Sequence, residues 1–179
     1  MSFTIRPAQP ADLEAVGQLY GAVCDGLRDK PYNPGWQRDG FPTAANAQKF
    51  LDEGGLLLAW DGARLAGSVG FTPNPSAEVE EDSQAFSHAA GPEGVWYIHV
   101  LAVHPDFLRQ GLASRLLAQA QEAVRASGGT ALRLYVWENN SPAVAAYEKN
   151  GYACLETGVD IGLAELGLER FSLYEKPLG

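Results

Sequence analysis

Basic side chains are scarce in this chain. Thirteen lysines and arginines stand against 22 aspartates and glutamates, giving a formal charge of -9 and a sequence pI near 4.7. Such totals leave little for the basic patch that a nucleic-acid surface requires. Cysteine is scarcer still: Cys24 and Cys154 have neither metal-ligand nor redox spacing, and a chain of 179 residues needs no disulfide framework. Both read as small buried residues, and no metal site is expected. No apolar run approaches the roughly 18 residues of a membrane span, and MSFTIRPAQP lacks the basic start and apolar core of a secretion signal. The expectation is a cytoplasmic protein with no nucleic-acid partner and no membrane partner. Internal repeats and low-complexity tracts are also missing. With 46% hydrophobic and 20% charged residues, an ordinary globular balance, one domain over 1–179 is expected.

What the chain does contain is organised around Val95 to Leu117, VWYIHVLAVHPDFLRQGLASRLL. Val95 to Val103 is β-branched and aromatic, with apolar residues on both parities, as in a strand covered on both faces. Pro105 ends it. Leu108 to Ser114 then brings Gly111 and Ala113 to the start of a helix whose apolar face is Leu112, Leu116, Leu117, Ala120 and Val124. Free N–H groups and the positive end of a helix dipole converge at such a turn, and small residues let a phosphate approach. The same turn also serves simply to pack a helix on a strand. Arg109 and Arg115 flank it, either as phosphate ligands or as solvated helix-end arginines.

Before this stretch, Phe3 to Arg6 reads as a strand, and Asp12 precedes a helix carrying Leu13, Val16, Leu19 and Tyr20. Cys24 to Thr43 mixes three prolines with Tyr32, Trp36 and Phe41, which is either a lid or a satellite core. Thr43 caps a helix to Glu53. Leu56 to Trp60 and Arg64 to Phe71 form a hairpin about Asp61-Gly62, so the sheet begins antiparallel. The acidic run Glu78, Glu80, Glu81 and Asp82 sits in a polar loop, as a solvated connection or a substrate contact. After the helix, Ala131 to Trp137 is a strand whose order implies parallel pairing with the central one. Pro142 opens a helix to about Asn150, and Tyr152 to Glu156 and Phe171 to Lys176 supply two last strands. The Gly-rich segment between these strands has no assignment.

In their order and spacing, IRPAQPADLEAVGQLY, LAVHPDFLRQGLASRLL, ENNSPAVAAYEKNGY and FSLYEKPL resemble the signature segments of the GNAT superfamily, the acyl-CoA-dependent N-acyltransferases. The resemblance is loose over residues 3 to 72 and close over 95 to 177. It implies a mixed α/β (α+β) fold, with a mostly antiparallel central sheet splayed at a parallel strand pair and flanked by helices. It also implies acetyl-CoA as co-substrate and a primary amine of a small molecule as acceptor, joined by direct attack in a ternary complex. The family's turn, Q/R-x-x-G-x-G/A, is matched at Gly111 and Ala113, with Leu108 replacing the first polar residue. By this resemblance the turn residues Arg109, Gln110, Gly111, Leu112, Ala113 and Ser114 bind the pyrophosphate. Leu101 and Val103 offer main-chain groups to the thioester and pantetheine arm, Leu101 also serving the oxyanion. Asn140 contacts the arm, and Tyr147 lies near the sulfur.

His99, two residues before Leu101, matches members of the superfamily in which a histidine serves the amine. Strand alternation puts Tyr97, His99, Leu101 and Val103 on one side. The chemistry needs a base: taking the neutral form of an amine of pKa near 10.4 at pH 7 costs about 4.6 kcal/mol. Two rival readings belong to other classes. One is a CoA-binding sensor or inactive module of the same fold. The other is a dinucleotide oxidoreductase, disfavoured because the glycine turn follows an antiparallel start and not the first strand of a βαβ unit. The oligomeric state stays open, a homodimer included.

Overall fold

The computed structural model describes residues 2–73 and 93–179; the acidic run from Glu78 to Asp82 lies outside them. Seven strands form one sheet: β1 (Thr4–Pro7), β2 (Gly55–Asp61), β3 (Arg64–Thr72), β4 (Val95–Val103), β5 (Ala131–Trp137), β6 (Ala153–Val159) and β7 (Phe171–Pro177). Their spatial order is β1-β2-β3-β4-β5-β7-β6. Every neighbouring pair is antiparallel except β4 and β5. Helix α3 (Leu112–Ala126) joins those two strands in the chain, as parallel pairing requires. This is the mixed, mostly antiparallel architecture expected, and its antiparallel start is not that of a dinucleotide-binding domain.

Helices α1 (Leu13–Leu27) and α2 (Ala44–Glu53) cover one face, packing Val16, Leu19, Tyr20, Ala47 and Phe50 against Leu56, Leu58, Val100 and Ala102. On the other face α3 buries Leu112, Leu116, Leu117, Ala120 and Val124, with Tyr147 from α4 (Ser141–Lys149) in the same cluster. Among the described residues no helix is long and apolar enough to cross a membrane. Helix α1 runs to Leu27, four residues into the segment expected to be irregular, because Val23 and Leu27 continue its apolar stripe onto the same cluster. Cys24 is buried, but Cys154 is exposed because it sits on the edge strand β6.

Two irregularities in the sheet create the site. The β4–β5 ladder pairs Val95, Trp96 and Tyr97 with Ala131, Leu132 and Arg133 and then stops, although both strands continue. Beyond that point Ile98 to Val103 and Leu134 to Trp137 face each other across a gap. On the other side of β4, Gly70 opposes Val100 while Phe71 opposes Ile98, so His99 is an extra residue, a β-bulge. The bulge inverts side-chain parity. Tyr97 and His99 point toward α2, while Leu101 and Val103 pack on the α3 side with Val69, the partner of Leu101. The expected sharing of one face by all four residues is thus corrected: a strict period of two does not survive an inserted residue.

The first strand is tied to α1 by a charge pair. Arg6 Nη1 and Nη2 donate to the two carboxylate oxygens of Asp12 at 2.8 and 2.9 Å, and Gln9 N–H donates to the same carboxylate at 2.8 Å. These bonds, chiefly from Arg6, hold the Asp12 carboxyl below its ordinary value of 3.8 against the opposing effect of burial. A lowered folded-state pKa contributes stability that is full above the unfolded value and lost as pH falls through the folded one. Asp12→Asn should therefore cost about 1 kcal/mol at pH 7, discounted for the half-exposed Arg6, and should flatten the loss of stability below pH 4 in urea titrations.

Candidate active site

A cleft of about 1010 Å³ passes through the gap between β4 and β5 and opens on both faces of the sheet. Its α3 side is walled by Leu101, Val103, Leu108, Arg109, Ala113, Val136, Asn140, Ala143, Ala146 and Tyr147, and its α2 side by Phe50, Thr72, Tyr97, His99, Tyr135 and Trp137. Residues expected to meet two different substrates are therefore joined in one cavity.

At the α3 end, the chain between Phe107 and Leu112 reverses its handedness residue by residue. Leu108 is extended (φ -65°, ψ 153°), Arg109 has φ 61°, and Gly111 has φ 74°. Alternation of this kind turns successive N–H groups to one side and forms an anion concavity. The N–H groups of Gly111, Leu112, Ala113 and Ser114 meet no main-chain acceptor among the described residues, as befits the first turn of a helix. A Cβ on Gly111 would touch nothing within 4 Å. Open donors, open space and the helix dipole fit a pyrophosphate. Gln110 and Gly111 are exposed, and Gln110, Gly111, Leu112 and Ser114 lie outside the cleft walls. Leu112 is buried in the core and offers the turn only its N–H, while the Ser114 hydroxyl accepts from Asn150 Nδ2 at 3.1 Å. Arg115 is structural: Nη2 donates to Phe3 O at 3.0 Å and the guanidinium lies over the Phe3 ring.

On the other side of the gap, His99 is held by a hydrogen bond and a ring contact. Its Nε2 is 2.7 Å from Thr72 Oγ1, and its ring stacks on Phe50 at 5.5 Å between centroids and 5° between planes. Phe50 in turn occupies the space above Gly70, where a Cβ would come within 2.3 Å of its ring. Tyr97 stacks on Tyr135 across the gap, 6.5 Å apart and 3° from parallel. Tyr147 is buried, edge-on to Tyr152 at 5.7 Å, and desolvation pushes its phenol well above the ordinary tyrosine value. It is therefore a neutral O–H group at any physiological pH. Asn140 sits at the N-terminus of α4, where Val144 N–H donates to its carbonyl at 3.0 Å.

Several lining residues carried no usable signal in the sequence. Thr72 and Phe50 come from elements remote in the chain, and nothing local links them to His99. Ile161, Leu163, Leu166 and Leu168 line the cleft from the segment between β6 and β7; four apolar residues within a Gly-rich loop were the only hint. The aromatic loop after α1 serves in both ways the sequence left open, since Trp36 lines the cleft and packs on the α1–α2 cluster. Asp25 is committed to Arg38 and Arg28, and neither it nor Asp29 nor Asp39 lines the cleft. Among the described residues no cluster of histidine, cysteine or carboxylate could hold a metal ion.

A splayed parallel pair with an anion turn at the next helix defines an acyl-CoA transferase architecture, and comparison with known proteins agrees. Residues 23–152 match the model of the acetyltransferase (GNAT) family, and the chain belongs to that family. Mycothiol acetyltransferase of Geodermatophilus obscurus is 34% identical over 106 residues, 59% of this chain and 31% of that protein. The GCN5-related N-acetyltransferase 6, chloroplastic, of Arabidopsis thaliana is 33% identical over 84 residues, 47% of this chain and 29% of that protein. The chain thus spans about a third of the length of these curated relatives. Among solved structures, a GNAT-family acetyltransferase from Streptococcus pneumoniae superposes with a TM-score of 0.71 at 23% identity, covering 99% of this chain and 100% of that one. The yncA structure from Salmonella typhimurium, with its cofactor acetyl-CoA, gives 0.70 at 17% identity, covering 100% and 95%. At these identities the structures speak to the fold alone.

The anion turn makes a direct prediction. Gly111→Val meets no steric obstacle within the protein, so it should fold, with a backbone cost of about 1–2 kcal/mol for the left-handed conformation. Its side chain would fill the approach to the free N–H groups, and CoA affinity measured by calorimetry should fall at least tenfold; unchanged affinity would remove this turn from the site.

Proposed function

We propose that this chain is a single catalytic domain that transfers the acetyl group of acetyl-CoA to a primary amine of a small molecule, by direct attack within a ternary complex. The observation that carries this reading is the cleft through the splayed strands, with open backbone donors at one end and a protein-held imidazole at the other. Acetyl-CoA supplies an activated acyl thioester when bound. The N–H groups of Gly111, Leu112 and Ala113 would hold its pyrophosphate, with Arg109, Gln110 and Ser114 beside them. Leu101, Val103 and Asn140 would line its arm. The fit rests on the unpaired donors and the open space at Gly111.

The chain's own residues then have three tasks. Leu101 N–H, on the edge of β4 that has left its partner strand, is free to donate to the oxygen that gains charge as the amine attacks. His99 takes the amine proton, directly or through one water; Thr72 and Phe50 fix the ring so that no reorganisation is needed at that moment. Tyr147, whose phenol lines the cleft on the α3 side, gives its proton to the departing sulfur. Placing donor and acceptor on opposite faces of the sheet accounts for attack without a covalent enzyme intermediate.

Two substitutions test the assignments through amine-dependent release of free CoA. With His99 as base, kcat/KM should rise with pH through an acidic limb that depends on the imidazole. His99→Gln should lose that limb together with roughly 10² to 10⁴ of the rate; retention of both would pass the role to another group. Tyr147→Phe should lower kcat about tenfold or more while CoA affinity stays within twofold, and full activity would leave Tyr147 a packing residue. CoA binding with no release in the presence of any amine would assign the chain a binding role instead.

A further inference from the structure

Resting on the proposed acetyl transfer, we infer that the acceptor is a small primary amine carried on an aromatic body, with no second positive charge. The acceptor end of the cleft is built from rings contributed by widely separated parts of the chain: Trp36 and Phe41 from the loop after α1, Tyr97 from β4, Tyr135 and Trp137 from β5, and Phe171 from β7. Aromatic walls of this kind favour flat apolar partners, through burial and through stacked or edge-on ring contacts.

Among the described residues three large apolar side chains are exposed and all line the cleft, Leu108 at the donor end and Phe41 and Leu166 at the acceptor end. Phe41 is 42% exposed and Leu166 is 68% exposed, and both line the cleft. They stand on different loops, and those loops meet: a Cβ on Gly35 would lie 2.9 Å from Leu168 Cδ1. This contact brings the two loops together beside the acceptor end and gives it an apolar lip. The cavity is continuous with the gap that holds His99, so a ring seated there would set its amine toward the imidazole.

Charge points the same way. Among the described residues, the ionisable groups that line the cleft are Lys30, Lys49, Glu53 and Arg109, besides the histidine and tyrosines. Arg109 belongs to the donor end, so among the described residues two cations, Lys30 and Lys49, stand against the one carboxylate of Glu53 elsewhere in the lining, a balance that opposes a polyamine; Asp25, Asp29 and Asp39 lie off the cleft. An amine with a single charge is deprotonated by His99 and becomes neutral, and the remainder of the molecule is then matched to apolar walls.

The test compares kcat/KM for 2-phenylethylamine, ethylamine, putrescine and a short peptide with a free N-terminus, using acetyl-CoA and the whole chain. Burial of roughly 100 Å² of ring surface corresponds to about 70-fold, so 2-phenylethylamine is expected to exceed each of the other three by at least tenfold. The double variant Phe41→Ala, Leu166→Ser removes two exposed side chains, and should reduce the ratio of 2-phenylethylamine to ethylamine below threefold. Putrescine or the peptide matching 2-phenylethylamine, or a ratio untouched by the double variant, overturns the inference. Titration of intrinsic tryptophan fluorescence with 2-phenylethylamine and with putrescine, CoA present, separates the two proposals. Tighter binding of 2-phenylethylamine without any transfer keeps the aromatic site and rejects acetyl transfer; equal binding of the two amines rejects the aromatic site.

Discussion

The β4–β5 ladder is released after three residue pairs, and most of the site depends on that release. Parallel strands ordinarily satisfy each other's main chain along their whole length, and an unpaired edge inside a sheet would leave polar groups without partners. Here the edge borders the cleft, and the main-chain groups of Leu101 and Val103, which point away from β3, face that space and not a partner strand. Strand β5 is secured on its other side by full pairing with β7 from Ala131 to Trp137, so the sheet holds together while the gap stays open. The same opening lets residues on opposite faces meet, which no flat sheet allows.

Support for the imidazole comes from two elements, β3 and α2. Gly70 on β3 makes room for Phe50, Phe50 from α2 provides a flat platform, and Thr72 at the end of β3 meets Nε2. The arrangement resembles a small piece of core built around a polar group, and it explains why a strand interior can carry a histidine without burying it unpaired. A phenol on α4 and an imidazole on β4 are thereby held by different packing units, the α3-side and α2-side clusters. Each can adjust to its own ligand without displacing the other.

Much of the fold was legible because punctuation agreed with periodicity. Strands β4 and β5 are bounded by Gly94, His104-Pro105 and Gly129-Thr130, and their limits were read to the residue. The conformation of the turn before α3 was legible for a similar reason, since Gly111 takes a left-handed backbone and stands at the head of a clear amphipathic helix. The side on which His99 lies was misread. Alternation assumes one residue per partner, and a bulge is decided by the neighbouring strand, through Gly70 and Phe71, which the local sequence of β4 does not encode. Arg115 was ambiguous for the same reason: its partner, Phe3 O, is over a hundred positions away. The acceptor wall between β6 and β7 was illegible because its four apolar residues follow neither helical nor strand spacing.

The bulge has a consequence for how such a site can change through descent. Ordinary substitutions at position 99 alter the chemistry of one group but leave the orientation of Leu101 and Val103 untouched. Removal of a single codon there would instead restore a regular ladder with β3, and every side chain on one arm of the strand would exchange faces. Insertions and deletions are usually absorbed by loops; in this strand their effect would be to rotate the donor wall relative to the acceptor wall. The length of β4, counted in residues between its two anchored ends, thus sets which side chains face which half of the cleft, independently of the identity of any residue in it.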